Sequence, residues 1–75
     1  MGYGLHEIEA GQSGRVAFLA GGDDMERRLA DMGFTRGARV ECLYKSPAGD
    51  PAAYLIRGTV IALRREDAAK VEVLL

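Results

Sequence analysis

Asp23-Asp24-Met25-Glu26-Arg27-Arg28-Leu29-Ala30-Asp31-Met32-Gly33-Phe34 is the one stretch of this 75-residue chain that reads convincingly as a helix. Met25, Leu29 and Met32 recur at i, i+4 and i+7 and make one apolar stripe, with Arg27 and Asp31 projecting away from it. The pattern predicts a helix over about 24–32, with Asp23 as N-cap and Glu26 three residues on as the partner of a capping box. Acidic residues in the first turn suit the positive end of the helix dipole. Gly33 can supply the left-handed residue that ends the helix, and Phe34 can fold back on Leu29 as in a Schellman termination. So short a helix is not stable alone in water and must lean on something else.

The residues on either side predict a sheet for it to lean on. Arg15–Ala20 is a candidate strand after the turn Ala10-Gly11-Gln12-Ser13-Gly14, and Leu5 and Ile8 suit one helical turn before it. Arg36-Gly37 makes a turn. Beyond it Ala38, Val40, Cys42 and Tyr44 alternate with Arg39, Glu41 and Lys45, which predicts a strand with the first set inward. Ser46–Pro51 is a loop by composition. Ala53–Ile56 and Thr59–Leu63 form a hairpin around Arg57-Gly58, Arg65–Ala69 suits a turn of helix, and Lys70–Leu75 is a last strand. The fold class expected is all-β: a small SH3-like barrel of five or six strands with one short inserted α-helix, as a single domain over 1–75.

Composition narrows the chemistry. At 8.1 kDa, folding buries about 60% of the chain's surface, enough for one compact core. The content of 48% hydrophobic and 28% charged residues argues against disorder. The longest uncharged stretch, Val16–Gly22, is far short of a membrane span, and Glu7 and Glu9 interrupt any secretory pattern, so the expected compartment is the cytoplasm. A single cysteine, Cys42, excludes an internal disulfide and a cysteine-based zinc cluster. Ten basic and eleven acidic residues leave a net charge of −1, without the basic excess usual in nucleic-acid binders.

No catalytic constellation stands out. His6 is the only histidine, and Cys42 is in phase with Val40, which reads as core packing. Glu7 with Glu9 and Glu66 with Asp67 read as solvated acidic pairs. His6, Glu7 and Glu9 are too few ligands for a specific metal site, and Met25 and Met32 are spaced for packing. Gly21-Gly22 precedes the helix as phosphate loops do, but Asp23 and Asp24 occupy the place an anion would take. Arg27, Arg28, Arg36, Arg39, Arg57, Arg64 and Arg65 allow local basic patches, yet few aromatics accompany them for base stacking. No enzyme activity, metal site or cofactor is expected.

The run Arg28-Leu29-Ala30-Asp31-Met32-Gly33-Phe34-Thr35-Arg36-Gly37 resembles the R-L-x-x-M-G-[FL]-x-x-G signature of FeoA domains, small cytosolic proteins of bacterial ferrous iron transport. The resemblance continues through Gly49-Asp50-Pro51, Tyr54-Leu55-Ile56-Arg57-Gly58, Ile61-Ala62-Leu63-Arg64-Arg65, Ala68 and Val71-Glu72-Val73, and so spans Leu5 to Val73. It implies an SH3-like barrel with an inserted helix. It also implies a role beside FeoB, the membrane GTPase and ferrous iron transporter, through protein contacts and not by carrying iron. The same barrel forms the C-terminal domain of iron-dependent repressors, whose helix-turn-helix domain does not fit in 75 residues; a generic small-barrel adaptor or nucleic-acid module is the alternative. The signature positions Leu29, Gly33, Gly37, Gly58 and Leu63 read as architectural. Arg28 borders the apolar stripe, so its stem can pack while its guanidinium meets backbone carbonyls or a partner; an arginine finger toward a GTPase is the sharper alternative. In the strand 53–56, Leu55 faces away from Tyr54 and Ile56, beside Arg57, and Leu43 is out of phase with Val40 and Cys42. Leu43, Leu55 and Arg57 are therefore candidates for a partner-facing patch, with packing under the helix or a loop as the alternative.

Overall fold

The computed structural model describes residues 2–75. Six strands, β1 (Gly2–Gly4), β2 (Ser13–Leu19), β3 (Arg39–Lys45), β4 (Ala52–Ile56), β5 (Thr59–Leu63) and β6 (Val71–Leu74), form one antiparallel sheet in the order β1-β6-β2-β3-β4-β5. One hydrophobic cluster draws side chains from β2 through β6, from helix α1 (Gly22–Asp31) and from Leu5, Ile8 and Phe34, so the sheet wraps its own core. This is the SH3-like architecture with its inserted helix. The hydrogen-bonded order leaves β1 and β5 as edges, so closure between those two strands is not made. Among the described residues no helix is long and apolar enough to cross a membrane.

The helix departs from its expected start. It begins at Gly22, its N-cap is Gly21, and no side chain caps it. Gly21 and Gly22 both have positive φ, at 102° and 86°, so the chain reverses sharply after β2 and the helix starts ahead of Asp23. Asp23 is thus not the N-cap and Glu26 completes no capping box; both aspartates lie in the first turn, where their charge still suits the dipole. The C-terminus closes as a Schellman motif. Gly33 N–H donates to Ala30 O at 2.9 Å and Phe34 N–H to Leu29 O at 3.0 Å, with Gly33 at φ 108°. Leu29 and Phe34 are both fully buried. Gly33→Val is expected to cost about 2 kcal/mol, because a β-branched residue resists this conformation; an unchanged thermal melt would contradict the termination.

Two further differences have local causes. Gly2–Gly4 becomes a strand only because β6 pairs with it, Tyr3 opposite Val73. In β3 the register with β4 runs Cys42↔Tyr54 and then Tyr44↔Ala53, so Leu43 is an extra residue in a bulge. The bulge reverses the alternation. Val40 and Cys42 are buried as expected, but Tyr44 turns outward and is 62% exposed. The expectation that Tyr44 points inward is corrected by that one inserted residue.

Ser46–Pro51 is tied at both ends. Ser46 N–H donates to Pro51 O at 3.1 Å, and Asp50 Oδ1 accepts the Arg65 N–H at 2.9 Å at the start of α2 (Arg65–Ala68).

Candidate functional site

The hairpin between β4 and β5 turns through Arg57 and Gly58, with φ of 48° and 79°. Two successive positive φ values are the geometry of a two-residue type I′ turn, in which Asn, Asp or Gly is favoured at the first place. An arginine there costs about 1 kcal/mol. Its side chain is held nonetheless. Nη2 donates to Thr35 Oγ1 at 2.7 Å, and the stem lies over Gly33, where an added Cβ would meet Arg57 Cδ at 3.5 Å. The guanidinium is therefore fixed beside the C-terminal end of α1.

Arg57 faces a cleft of ≈ 320 Å³ that is also lined by Arg15, Gly37, Ala38, Arg39, Leu55 and Gly58. Antiparallel pairing sets Arg15 directly across from Arg39 on β2 and β3. Arg15 Nη1 donates to Gly37 O at 3.1 Å, and Gly37 is held in turn by its N–H to Val16 O at 2.7 Å. Arg39 pairs with Glu41 at 3.6 Å, an exposed contact that contributes little. From the cleft an apolar row runs over the outer sheet face. Leu55 is half-buried and opposes Val60, which is 58% exposed. Next to it Tyr44, Ala53 and Ala62 form a second row.

Of the residues singled out in the sequence, Leu55 and Arg57 thus meet in one cleft. Leu43 is half-buried at the bulge and does not line the cleft; Arg28 is exposed on α1, and among the described residues its guanidinium has no hydrogen-bond or ion-pair partner. Leu29 and Leu63 are buried, and Gly33, Gly37 and Gly58 all have positive φ. Sequence reasoning missed Arg15, Val60 and Tyr44 as neighbours of this surface. The outward phase of Arg39 was visible, but only the strand register brings Arg15 to it.

The other candidate chemistry is spoken for elsewhere. Glu7 Oε1 accepts the Gly4 N–H at 2.7 Å, and Glu9 approaches Lys45 at 4.0 Å. His6 turns Nδ1 inward without a partner. Among the described residues no three His, Cys, Asp or Glu side chains converge as metal ligands. Cys42 is fully buried, and that burial pushes its thiol above the ordinary 9.0. Burial likewise pushes the Tyr54 phenol up to about 12.

Both groups stay neutral in the fold longer than in the unfolded chain. The stability this supplies is complete below the unfolded values of 9.0 and 10.0, and is lost as pH rises through the raised folded ones. Melting temperature is expected to fall between about pH 9 and about pH 12, and to fall less in Tyr54→Phe. Equal alkaline sensitivity of the two proteins would contradict this.

A family model described as the FeoA domain matches residues 3–75. A Porphyromonas gingivalis (strain ATCC BAA-308 / W83) protein, named as a fusion of Fe(2+) transport protein A with the Fe(2+) transporter FeoB, is 35% identical over 69 residues. That match takes in 92% of this chain but only 8% of the fusion protein. The NMR structure of a FeoA-like protein from Clostridium acetobutylicum is similar at 34% identity and a TM-score of 0.88, over 99% of this chain and 88% of that one. The crystal structure of Stenotrophomonas maltophilia FeoA complexed with zinc, described as an SH3 domain protein, is similar at 32% identity and a TM-score of 0.77, over 93% and 87%. Structures of a manganese-dependent transcriptional repressor are similar at 22% identity, which shows the fold alone.

Proposed function

Because this chain belongs to the FeoA family, we propose that it is a non-enzymatic accessory protein of ferrous iron uptake that acts from the cytoplasm by docking on a FeoB-type membrane GTPase. The observation that carries this reading is the Porphyromonas gingivalis fusion, in which a relative of this domain is covalently joined to FeoB. Joining two modules holds them at an effective concentration in the millimolar range, which is useful where the two work in contact. A single small domain with an open, partly apolar sheet face has the means for such contact.

Leu55 and Arg57 are the contact residues we assign, with Val60 beside them. Leu43 and Arg28 do not line the cleft and are proposed only as further contact residues outside it.

The test is capture of the cytosolic part of the FeoB-type transporter from the same genome. The wild-type chain is expected to retain it, and Leu55→Glu to lose it by about tenfold or more, since a charge at an apolar contact centre is costly. Val60→Glu, at an exposed position, gives the same reading if Leu55→Glu fails to fold. A wild-type chain that captures no transporter and retains DNA with a steep salt dependence would replace this reading with the nucleic-acid one.

A further inference from the structure

We propose that the cleft walled by Arg15, Arg39 and Arg57 receives a carboxylate side chain, an Asp or Glu in an extended segment of the partner protein, with an aliphatic side chain two residues from it, on the same face of that segment, seated on Leu55 and Val60. The proposal rests on the reading that the partner is a protein, and it names the chemistry by which that partner is recognised. Three guanidiniums from distant parts of the sequence line one cleft in a chain whose net charge is −1. Basic composition therefore does not account for their meeting.

How the guanidiniums are held matters more than their number. Arg15 is held by the carbonyl of Gly37 and Arg57 by the hydroxyl of Thr35. Both acceptors are neutral, so the forks are positioned while their charge stays uncompensated. Among the described residues the only carboxylate in ion-pair contact with the three is Glu41, which stands opposite Leu55 at the edge of the cleft and offsets Arg39 alone, leaving Arg15 and Arg57 without one. Planar, fixed guanidiniums suit a carboxylate, which they can bind through two parallel hydrogen bonds. Holding them before binding also lowers the ordering cost of association.

The strained turn points the same way. The first place of this hairpin favours Asn or Gly, yet it carries an arginine at φ 48°. Strain kept at one exposed position is a mark of a functional demand on that side chain. The remaining lining selects the class of partner. No aromatic residue lines the cleft, so bases of a nucleic acid would find nothing to stack on. Leu55 supplies an apolar floor, and its cross-strand neighbour Val60 extends it. A volume of ≈ 320 Å³ is at the small end for a ligand pocket and suits one acidic side chain with its neighbours.

The test titrates the full chain, isotopically labelled, with three probes: a blocked peptide of the repeat Leu-Ser-Glu-Ser, which sets leucine and glutamate on one face of an extended chain, the same peptide with glutamine for glutamate, and an oligo-dT strand. The glutamate peptide is expected to shift the amides of Leu55 and Arg57 and the side-chain N–H signals of Arg15, Arg39 and Arg57. The glutamine peptide is expected to bind about tenfold more weakly or worse. Arg39→Gln with Arg57→Asn, an exposed change and one suited to the turn, is expected to bring the glutamate peptide down to the glutamine level. Equal binding of the two peptides, shifts confined to another face, or displacement of the peptide by oligo-dT overturns the proposal. Capture of the transporter's cytosolic part by both proteins separates the two readings. If wild type and double variant capture it equally, the cleft has no part and the docking reading stands. If neither captures it while the peptide contrast holds, the cleft proposal stands and the transporter is the wrong partner.

Discussion

Replacing Phe34 by alanine is expected to cost about 3–5 kcal/mol of folding stability. Phe34 is fully buried and follows the left-handed Gly33, with its N–H on the carbonyl of Leu29. It is the residue that carries the chain from the end of α1 back into the core, against Leu29 of the same helix. Truncation removes the transfer free energy of the ring and leaves a cavity between helix and sheet. A ten-residue helix has little stability of its own, so loosening its last turn loosens the whole element. Against a total of about 5–15 kcal/mol for a typical domain, such a loss takes up much of the margin. Urea unfolding followed by circular dichroism measures it. A loss below about 1 kcal/mol would show that α1 is not anchored through this ring.

Gly14→Val is the second large effect, for a different reason. Gly14 lies in β2 opposite Val40, and the end of β6 runs close against it. A Cβ at this position would stand 2.6 Å from the backbone oxygen of Leu74. Backbone cannot rotate aside as a side chain can, so β6 must move, and with it the pairing of Val73 opposite Val16. Overpacking of this kind costs about 1–3 kcal/mol, and the forced shift of a central strand places Gly14→Val at the upper end. Gly2→Val is the control for glycine replacement in a strand, since its φ is not positive and the atoms nearest a Cβ there belong to the movable side chain of Glu72. If Gly14→Val proves as stable as wild type, the close approach of β6 is wrong.

The parts of this fold legible in the sequence are those fixed by local chemistry. The Leu29, Gly33 and Phe34 termination could be read from spacing because every hydrogen bond in it lies within a few residues. The β4–β5 hairpin was legible for the same reason, down to its Arg57-Gly58 turn. The helix start was not, because two polar aspartates outweighed the glycines Gly21 and Gly22 that in fact reverse the chain. Gly2–Gly4 carries no strand signal of its own and is a strand only through β6. Tyr44 was misplaced because a single extra residue, Leu43, reverses a two-residue period.

The candidate site divides along the same line. Leu55 and Arg57 stood out because an apolar residue beside a charge on one strand face is a local feature. Arg15 and Arg39 join them only through strand register, which no local pattern specifies. The apolar row of Leu55 and Val60 likewise depends on the pairing of β4 with β5.

The central claim is that this chain works by placing the outer face of β3, β4 and β5 against the cytosolic part of a FeoB-type transporter. The most direct test is a titration of the isotopically labelled chain with that part of the transporter, read residue by residue from amide shifts and line broadening. The changes are expected to centre on Arg39, Leu55, Arg57 and Val60, with Arg27 and Asp31 on the far side of α1 unmoved. A spectrum that does not change, or one that changes only around Tyr3 and Phe18, would contradict the account.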